Sequence, residues 1–155
     1  MNKATVETVT TTSDATELDE LLWHVLWQPI GFPRDVRHAF SVDGEELELM
    51  AKESGRIVGG LVAVWTADAE VELRHLAVAS TAQRQGNGRR LIAELVRIVG
   101  PRGCHRIHTI ARNTSADFFR QLGFRQAPGK APEHPAFARQ GIFFKLMEKT
   151  IEPRH

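Results

Sequence analysis

One stretch constrains this chain more than any other: an apolar run that breaks into a glycine-bearing turn and then into a helix, Leu76-Ala77-Val78-Ala79-Ser80-Thr81-Ala82-Gln83-Arg84-Gln85-Gly86-Asn87-Gly88-Arg89-Arg90-Leu91. Strand, turn and helix in this order leave unpaired amides at the helix start, aimed at whatever anion docks there. Gly86 and Gly88 let the backbone approach such a ligand closely. Arg89 and Arg90 fall in the first helical turn, where the helix dipole disfavours cations unless an anion offsets them. A local phosphate site is the expectation.

The rest of the chain can be placed around that stretch. Glu70 to Val78 reads as its strand, with alternation that puts Glu72, Arg74, Leu76 and Val78 on one face and Val71, Leu73, His75 and Ala77 on the other. The helix after Gly88 carries Leu91, Ile92, Leu95, Val96 and Val99 on one side and stops at Gly100-Pro101-Arg102-Gly103. A right-handed crossover then makes Arg106 to Ala111 the parallel partner strand. Upstream, Val6 to Thr12 reads as a strand, and Asp14-Ala15-Thr16-Glu17 as the cap of a helix with Leu18, Leu21, Leu22, Val25 and Leu26 on its apolar stripe. Trp23 and Trp27 flank that stripe as core or groove lining. Arg34 to Phe40 predicts a short second helix with a solvated cationic face. Glu46 to Glu53 and Arg56 to Thr66 form a hairpin about Ser54-Gly55, and Gly59-Gly60 marks a bulge or the close approach of another backbone. Downstream, Asn113 to Phe124 reads as cap, short helix, glycine stop and strand entry. A Pro/Gly-rich loop, Gln126 to Gly141, precedes a last strand, Ile142 to Lys149, and a loop of that length is usually functional or mobile.

Composition narrows the function classes. The 155 residues fit a single domain, 1–155, with 25% charged and 42% apolar residues. A net charge of +1 argues against bulk nucleic-acid binding. Cys104 is the sole cysteine, so no intrachain disulfide and no cysteine zinc cluster can form. Met1 to Glu7 lacks an apolar signal core, and the longest apolar run, Ile57 to Trp65, is far short of a membrane span. A cytoplasmic protein that binds neither membrane nor nucleic acid is expected.

Element order and two motifs resemble the GNAT superfamily of acyl-CoA-dependent N-acyltransferases across nearly the whole chain. Gln83-Arg84-Gln85-Gly86-Asn87-Gly88 after Leu76-Ala77-Val78 is similar to that family's acyl-CoA signature, Gln or Arg, two residues, Gly, one residue, Gly or Ala. Asn113, Ala116, Phe119, Gly123 and Phe124 resemble its second motif, an Asn-initiated helix ending in Gly-Phe. A dinucleotide fingerprint would need glycine at position 91, where Leu91 stands, and a P-loop would need a Gly-Lys-Ser or Gly-Lys-Thr that is absent. The resemblance implies an α+β fold of three-layer α/β/α type, with a mixed, mostly antiparallel sheet whose central parallel pair splays. It implies acetyl-CoA as co-substrate, with the pyrophosphate on the amides from Arg84 to Gly88, near Arg84, Arg89 or Arg90. The pantetheine arm would add to the backbone of Leu76 to Val78 like an extra strand. Asn113 either faces the cofactor or serves as an N-cap, and Phe119 stands at the cofactor side of the second motif.

Acetyl transfer to an amine needs a base, a polarised carbonyl and a proton for the departing thiolate. Glu72 occupies the strand position where many family members carry the base; it is equally readable as a carboxylate salt-bridged to Arg74. Carbonyl polarisation would come from an amide near Ala77 or Val78 if that strand bulges. The family's usual acid is a tyrosine four residues before the glycine of the second motif, and here that residue is Phe119 in a chain with no tyrosine. Water, the substrate ammonium, Ser115 or His108 remain. Phe118-Phe119 before Gly-Phe is also similar to N-acetylglutamate-synthase-like members. For the acceptor, Arg74 could hold a carboxylate, with Trp27 and His134 lining the pocket and Arg34, Arg37, His38 and Arg139 as further candidates. The expected activity is acetylation of a primary amine on a small molecule, an amino acid or other carboxylate-bearing amine, with a homodimer left open. The alternatives are an acyl-CoA-binding module without turnover and acetylation of a protein N-terminus or lysine.

Overall fold

The computed structural model describes residues 4–152, so Met1, Asn2 and Lys3 of the polar N-terminal segment lie outside the described residues. β1 (Thr5–Thr8) leads into α1 (Thr12–Leu22), capped by the Thr11 hydroxyl, which accepts from the Asp14 amide at 3.1 Å. The helix thus starts two residues before the expected Asp14 cap, because Thr11 satisfies an orphan amide first. α1 continues through a π-helical turn, Trp23–Trp27, before Gly31 stops it in the left-handed region. After α2 (Val36–Ala39) come β2 (Glu46–Glu53), β3 (Arg56–Ala67) and β4 (Glu70–Val78). The crossover helix α3 (Asn87–Val99) leads to β5 (Arg106–Arg112), α4 (Ala116–Gln121), β6 (Arg125–Gln126), α5 (Pro135–Ala138) and β7 (Phe144–Thr150). The loop read over Gln126 to Gly141 therefore contains α5.

The strands form one sheet in the order β1-β2-β3-β4-β5-β7-β6. Only β4 and β5 pair in parallel, and only over Glu70 to Leu73 against Arg106 to Thr109. Helices cover both faces. On one side Leu91, Ile92, Leu95 and Val99 of α3 and Phe119 of α4 pack on Leu49, Leu61, Val71, Leu73 and Ile107. On the other, Leu18 and Leu22 of α1, Trp27 and Phe137 of α5 pack on Met50, Val62 and Ala77. This is the expected mixed α+β fold with a mostly antiparallel sheet.

One local expectation is sharpened and two are corrected. The bulge read at Gly59-Gly60 is present, with Val58 the extra residue beside Gly59, and Gly60 is in addition pressed by a side chain: a Cβ there would lie 2.0 Å from Leu18 Cδ1. Arg37 is neither solvated nor free for a substrate, since its guanidinium pairs with Asp19, with Glu46 at 2.8 Å and with Glu48 at 2.6 Å. The uniform alternation read for β4 also fails. Val62 faces His75 and Ala63 faces Leu73 in the register, so Arg74 is an extra residue in β4, a β-bulge. A bulge resets which face each later side chain takes. Leu76 therefore turns to the α3 side, where Val71 and Leu73 lie, while Ala77 joins the α1 cluster.

Candidate active site

Past Leu73 the two parallel strands part, and the end of their ladder is fixed by a side chain: Thr109 Oγ1 donates to the Leu73 carbonyl at 2.9 Å. Beyond that point the β4 edge toward β5 has no strand partner, and buried backbone groups left this way call for a ligand of amide character. A cavity of ≈ 320 Å³ opens in the gap, lined by Leu73 to Leu76 of β4, Thr109 to Arg112 of β5, Ser115, Phe118 and Phe119. Its other wall is aromatic, built from Trp27, Phe40, Phe137 and Phe144 with His134.

The turn that opens α3 is wound through two left-handed residues, Arg84 at φ 64 and Gly86 at φ 81. Gly86 is the residue type that accepts this conformation without strain. Asn87 is buried; its side-chain amide donates to the Ala82 carbonyl at 3.0 Å and its Oδ1 accepts from Arg90, so it braces the turn from inside. Arg90 also donates to the Ala4 carbonyl at 2.9 Å and is thereby tied to the N-terminal strand. Arg84 and Arg89 remain exposed beside the turn, with Gln83 bonded back to the Val78 carbonyl at 3.2 Å and Gln85 exposed. Gly88 is buried, and a Cβ there would come within 3.0 Å of the Phe118 ring.

Glu72 is buried and ion-paired with Arg74, whose guanidinium also donates to the Phe40 carbonyl. Arg74 and not Glu72 reaches the cavity wall. Arg74, His75 and Phe40 also wall a second cavity of ≈ 270 Å³ beneath α2. His75 stands edge-on to Trp27, with ring centroids 4.9 Å apart. Burial, aided by the charges of Arg37, Arg74 and Arg112, brings its pKa down to about 3, so its ring is neutral at any ordinary pH. His108 lies beside Glu72 in the register, 3.3 Å from the Thr66 hydroxyl, and burial lowers its pKa. It stays outside the cavity lining, whereas Ser115 is part of it. Cys104 is buried and its thiol pKa is raised by that burial.

Asn113 takes a role that neither sequence reading contained. Its Oδ1 accepts from the Phe143 amide at 3.0 Å and its Nδ2 donates to the Gly141 carbonyl at 3.3 Å, so it clamps the turn into β7. Phe119 is buried against Phe118 and Phe124 with its ring toward the cavity. His134 caps α5, its Nδ1 accepting from the Ala136 amide at 3.2 Å. Sequence reasoning missed Arg112, Phe40, Phe137 and Phe144, which converge only through tertiary packing. Arg112 donates to the Leu26 carbonyl at 2.7 Å and lies 5.2 Å from the centre of the Phe137 ring.

A model of the Acetyltransferase (GNAT) family matches residues 12–124, well over half of the chain, and the protein belongs to that family. It is an N-acetyltransferase that uses acetyl-CoA. Solved structures share the fold from end to end. Tetrahymena GCN5 is 17% identical, with TM-score 0.74 over 97% of this chain and 98% of its own. An aminoglycoside 6'-N-acetyltransferase complexed with coenzyme A is 18% identical, with TM-score 0.78 over 97% and 99%. The ribosomal-protein-S18-alanine N-acetyltransferase from Escherichia coli is 20% identical, with TM-score 0.77 over 100% and 97%. No curated protein matches the chain by sequence. Among the described residues no helix is long and apolar enough to cross a membrane, and no His, Cys, Asp and Glu group could hold a metal ion.

The residues present fit the acyl donor. An unpartnered strand edge from Arg74 to Val78 suits an amide-rich arm, and the wound turn before a helix of thirteen residues suits a pyrophosphate.

Proposed function

We propose that this protein transfers acetyl from acetyl-CoA to the primary amine of a carboxylate-bearing small molecule, such as an amino acid, by direct attack. The observation that carries this reading is the cavity at the β4–β5 parting. It is bounded by Pro132, Glu133 and His134 on one side and by Arg74, itself ion-paired with Glu72 behind the wall, on another. Pro132, Glu133, His134 and Phe137 form one of its walls and hold its volume to ≈ 320 Å³, which supports a small acceptor over a protein N-terminus or lysine, since those need a groove as wide as a peptide.

Acetyl-CoA supplies an activated thioester. Leu76, Ala77 and Val78 would hold its arm through their backbone, and Gln83 to Gly88 its pyrophosphate, with Arg84 and Arg89 adding charge. Asn87 contributes by bracing the turn. Glu72 accepts the amine proton through water that passes Arg74, and the buried ion pair keeps the carboxylate in place. The bulge frees backbone near Arg74 and His75, three residues earlier than Ala77, and an amide there is the carbonyl-polarising donor. With Phe119 apolar, the thiolate takes its proton from water or from Ser115 at the cavity wall.

Thiol release from acetyl-CoA across a panel of amines tests the activity; binding without release for every acceptor would favour a non-catalytic acyl-CoA module instead. Within the panel, Glu72→Gln lowers kcat/KM by roughly 10²–10⁴-fold, most at low pH where the amine needs help to lose its proton. A pH profile that keeps its shape in the variant removes Glu72 as base.

A further inference from the structure

Two guanidinium groups line the cavity, and their charges are handled differently. Arg74 is neutralised by Glu72 and occupied by the Phe40 carbonyl. Arg112 is half-buried at the end of β5, its described partners being the neutral Leu26 carbonyl and the face of Phe137. Burial lowers its pKa with no carboxylate opposing the shift. Glu133, the carboxylate at the cavity rim, is exposed and makes no ion pair with it among the described residues. A half-buried guanidinium with no carboxylate opposite it in a cavity wall can pair with an anion that enters the cavity. The guanidinium fork matches a carboxylate, with two parallel donors.

The remaining wall selects the rest of the acceptor. Trp27, Phe40, Phe137 and Phe144 present rings, with Leu26 beside them, and Phe137 lies 5.1 Å from Phe144 between centroids. Rings at such spacing favour an aromatic or branched apolar group between or against them. One unpaired cation matches one carboxylate, so a dicarboxylic acceptor of the glutamate kind would leave its second carboxylate against apolar walls.

We propose that Arg112 is the specificity-determining residue for the acceptor: it grips the single carboxylate of an amino acid whose side chain is aromatic or branched and apolar, a role Arg74 cannot take because Glu72 already holds it. This deepens the acetyltransfer reading and rests on it.

The test compares L-phenylalanine, L-leucine, L-glutamate and phenethylamine as acceptors in the wild type, Arg112→Gln and Arg112→Lys. In the wild type L-phenylalanine or L-leucine exceeds phenethylamine in kcat/KM by roughly 10- to 100-fold, the value of a charged, bidentate pair, and exceeds L-glutamate as well. Arg112→Gln collapses the ratio to phenethylamine toward one, chiefly through KM. Arg112→Lys keeps a donor for the Leu26 carbonyl and the charge but not the fork, and falls between. Equal loss on all acceptors in both variants, or wild-type preference for phenethylamine or L-glutamate, overturns the assignment. Calorimetric titration of L-phenylalanine separates the two readings: at least tenfold weaker binding in Arg112→Gln supports the carboxylate site even if no amine is acetylated. Absence of binding to the wild type overturns it.

Discussion

His75 offers the most direct measurement of how deeply this site is desolvated. Its pKa is about 3 in the folded chain against 6.5 for the free side chain. The unfolded chain therefore binds a proton at His75 below pH 6.5 that the folded chain refuses down to pH 3, and stability falls as pH drops through that window. The slope is about 1.4 kcal/mol per pH unit inside the window, so about 2 kcal/mol is lost at pH 5 relative to pH 7.5. Other groups titrate in the same range, so the measurement is a difference: urea denaturation of the wild type and His75→Gln at pH 7.5 and 5.0. The variant should lose about 2 kcal/mol less than the wild type over that interval. Parallel losses would mean that the ring is hydrated, and that the arginines and Trp27 around it do not form a dry wall.

Two further outcomes follow from contacts already described. Gly60→Ala forces a Cβ onto Leu18 Cδ1, a fully buried side chain, and should cost about 1–3 kcal/mol in denaturant unfolding; an unchanged midpoint would show that α1 can slide away. Arg89→Glu should raise the Kd for coenzyme A in calorimetry by roughly tenfold with little change in Tm, through reversed charge beside a phosphate. Arg90→Glu should instead lower Tm, because Arg90 holds Asn87 and the Ala4 carbonyl; the opposite assignment of effects would refute the division between the two.

Much of the fold was legible because local rules and tertiary structure agree. β2 and β4 fall on their expected residues, and α3 buries the expected Leu91, Ile92, Leu95 and Val99. The Ser54-Gly55 turn closes the hairpin with both residues at positive φ. Gly86 winds the turn before α3, as its place after a strand suggested. What periodicity could not show is the extra residue at Arg74, because a bulge is a property of the pairing with β3 and leaves no mark on the strand's own pattern. The consequence falls past the bulge: Leu76, read onto the face of Glu72 and Arg74, turns to the α3 side, whereas the Glu72–Arg74 ion pair that the same pattern allowed is present. Arg112 was overlooked for the complementary reason. It is the last residue of a strand, and only the arrival of α5, some twenty residues later, places Phe137 against it.

The bulge also explains why the site sits where it does. An extra residue at Arg74 coincides with the last parallel pair, Leu73 with Thr109, so the residue that shifts the side chains also stands where β4 loses its partner. One local irregularity thus coincides with an unpartnered backbone edge and with a change of side for the residues that follow. The price is a set of cations crowded at the bulge: Arg37, Arg74 and Arg112 all act on His75. Two of them carry their own carboxylates, Arg37 with three and Arg74 with one. Had all three been neutralised within the protein, the cavity would be an apolar slot indifferent to an acceptor's charge. Because Arg112 is left with a carbonyl and a ring, its charge lies against the aromatic wall, and that is where the proposed recognition of an acceptor carboxylate would act.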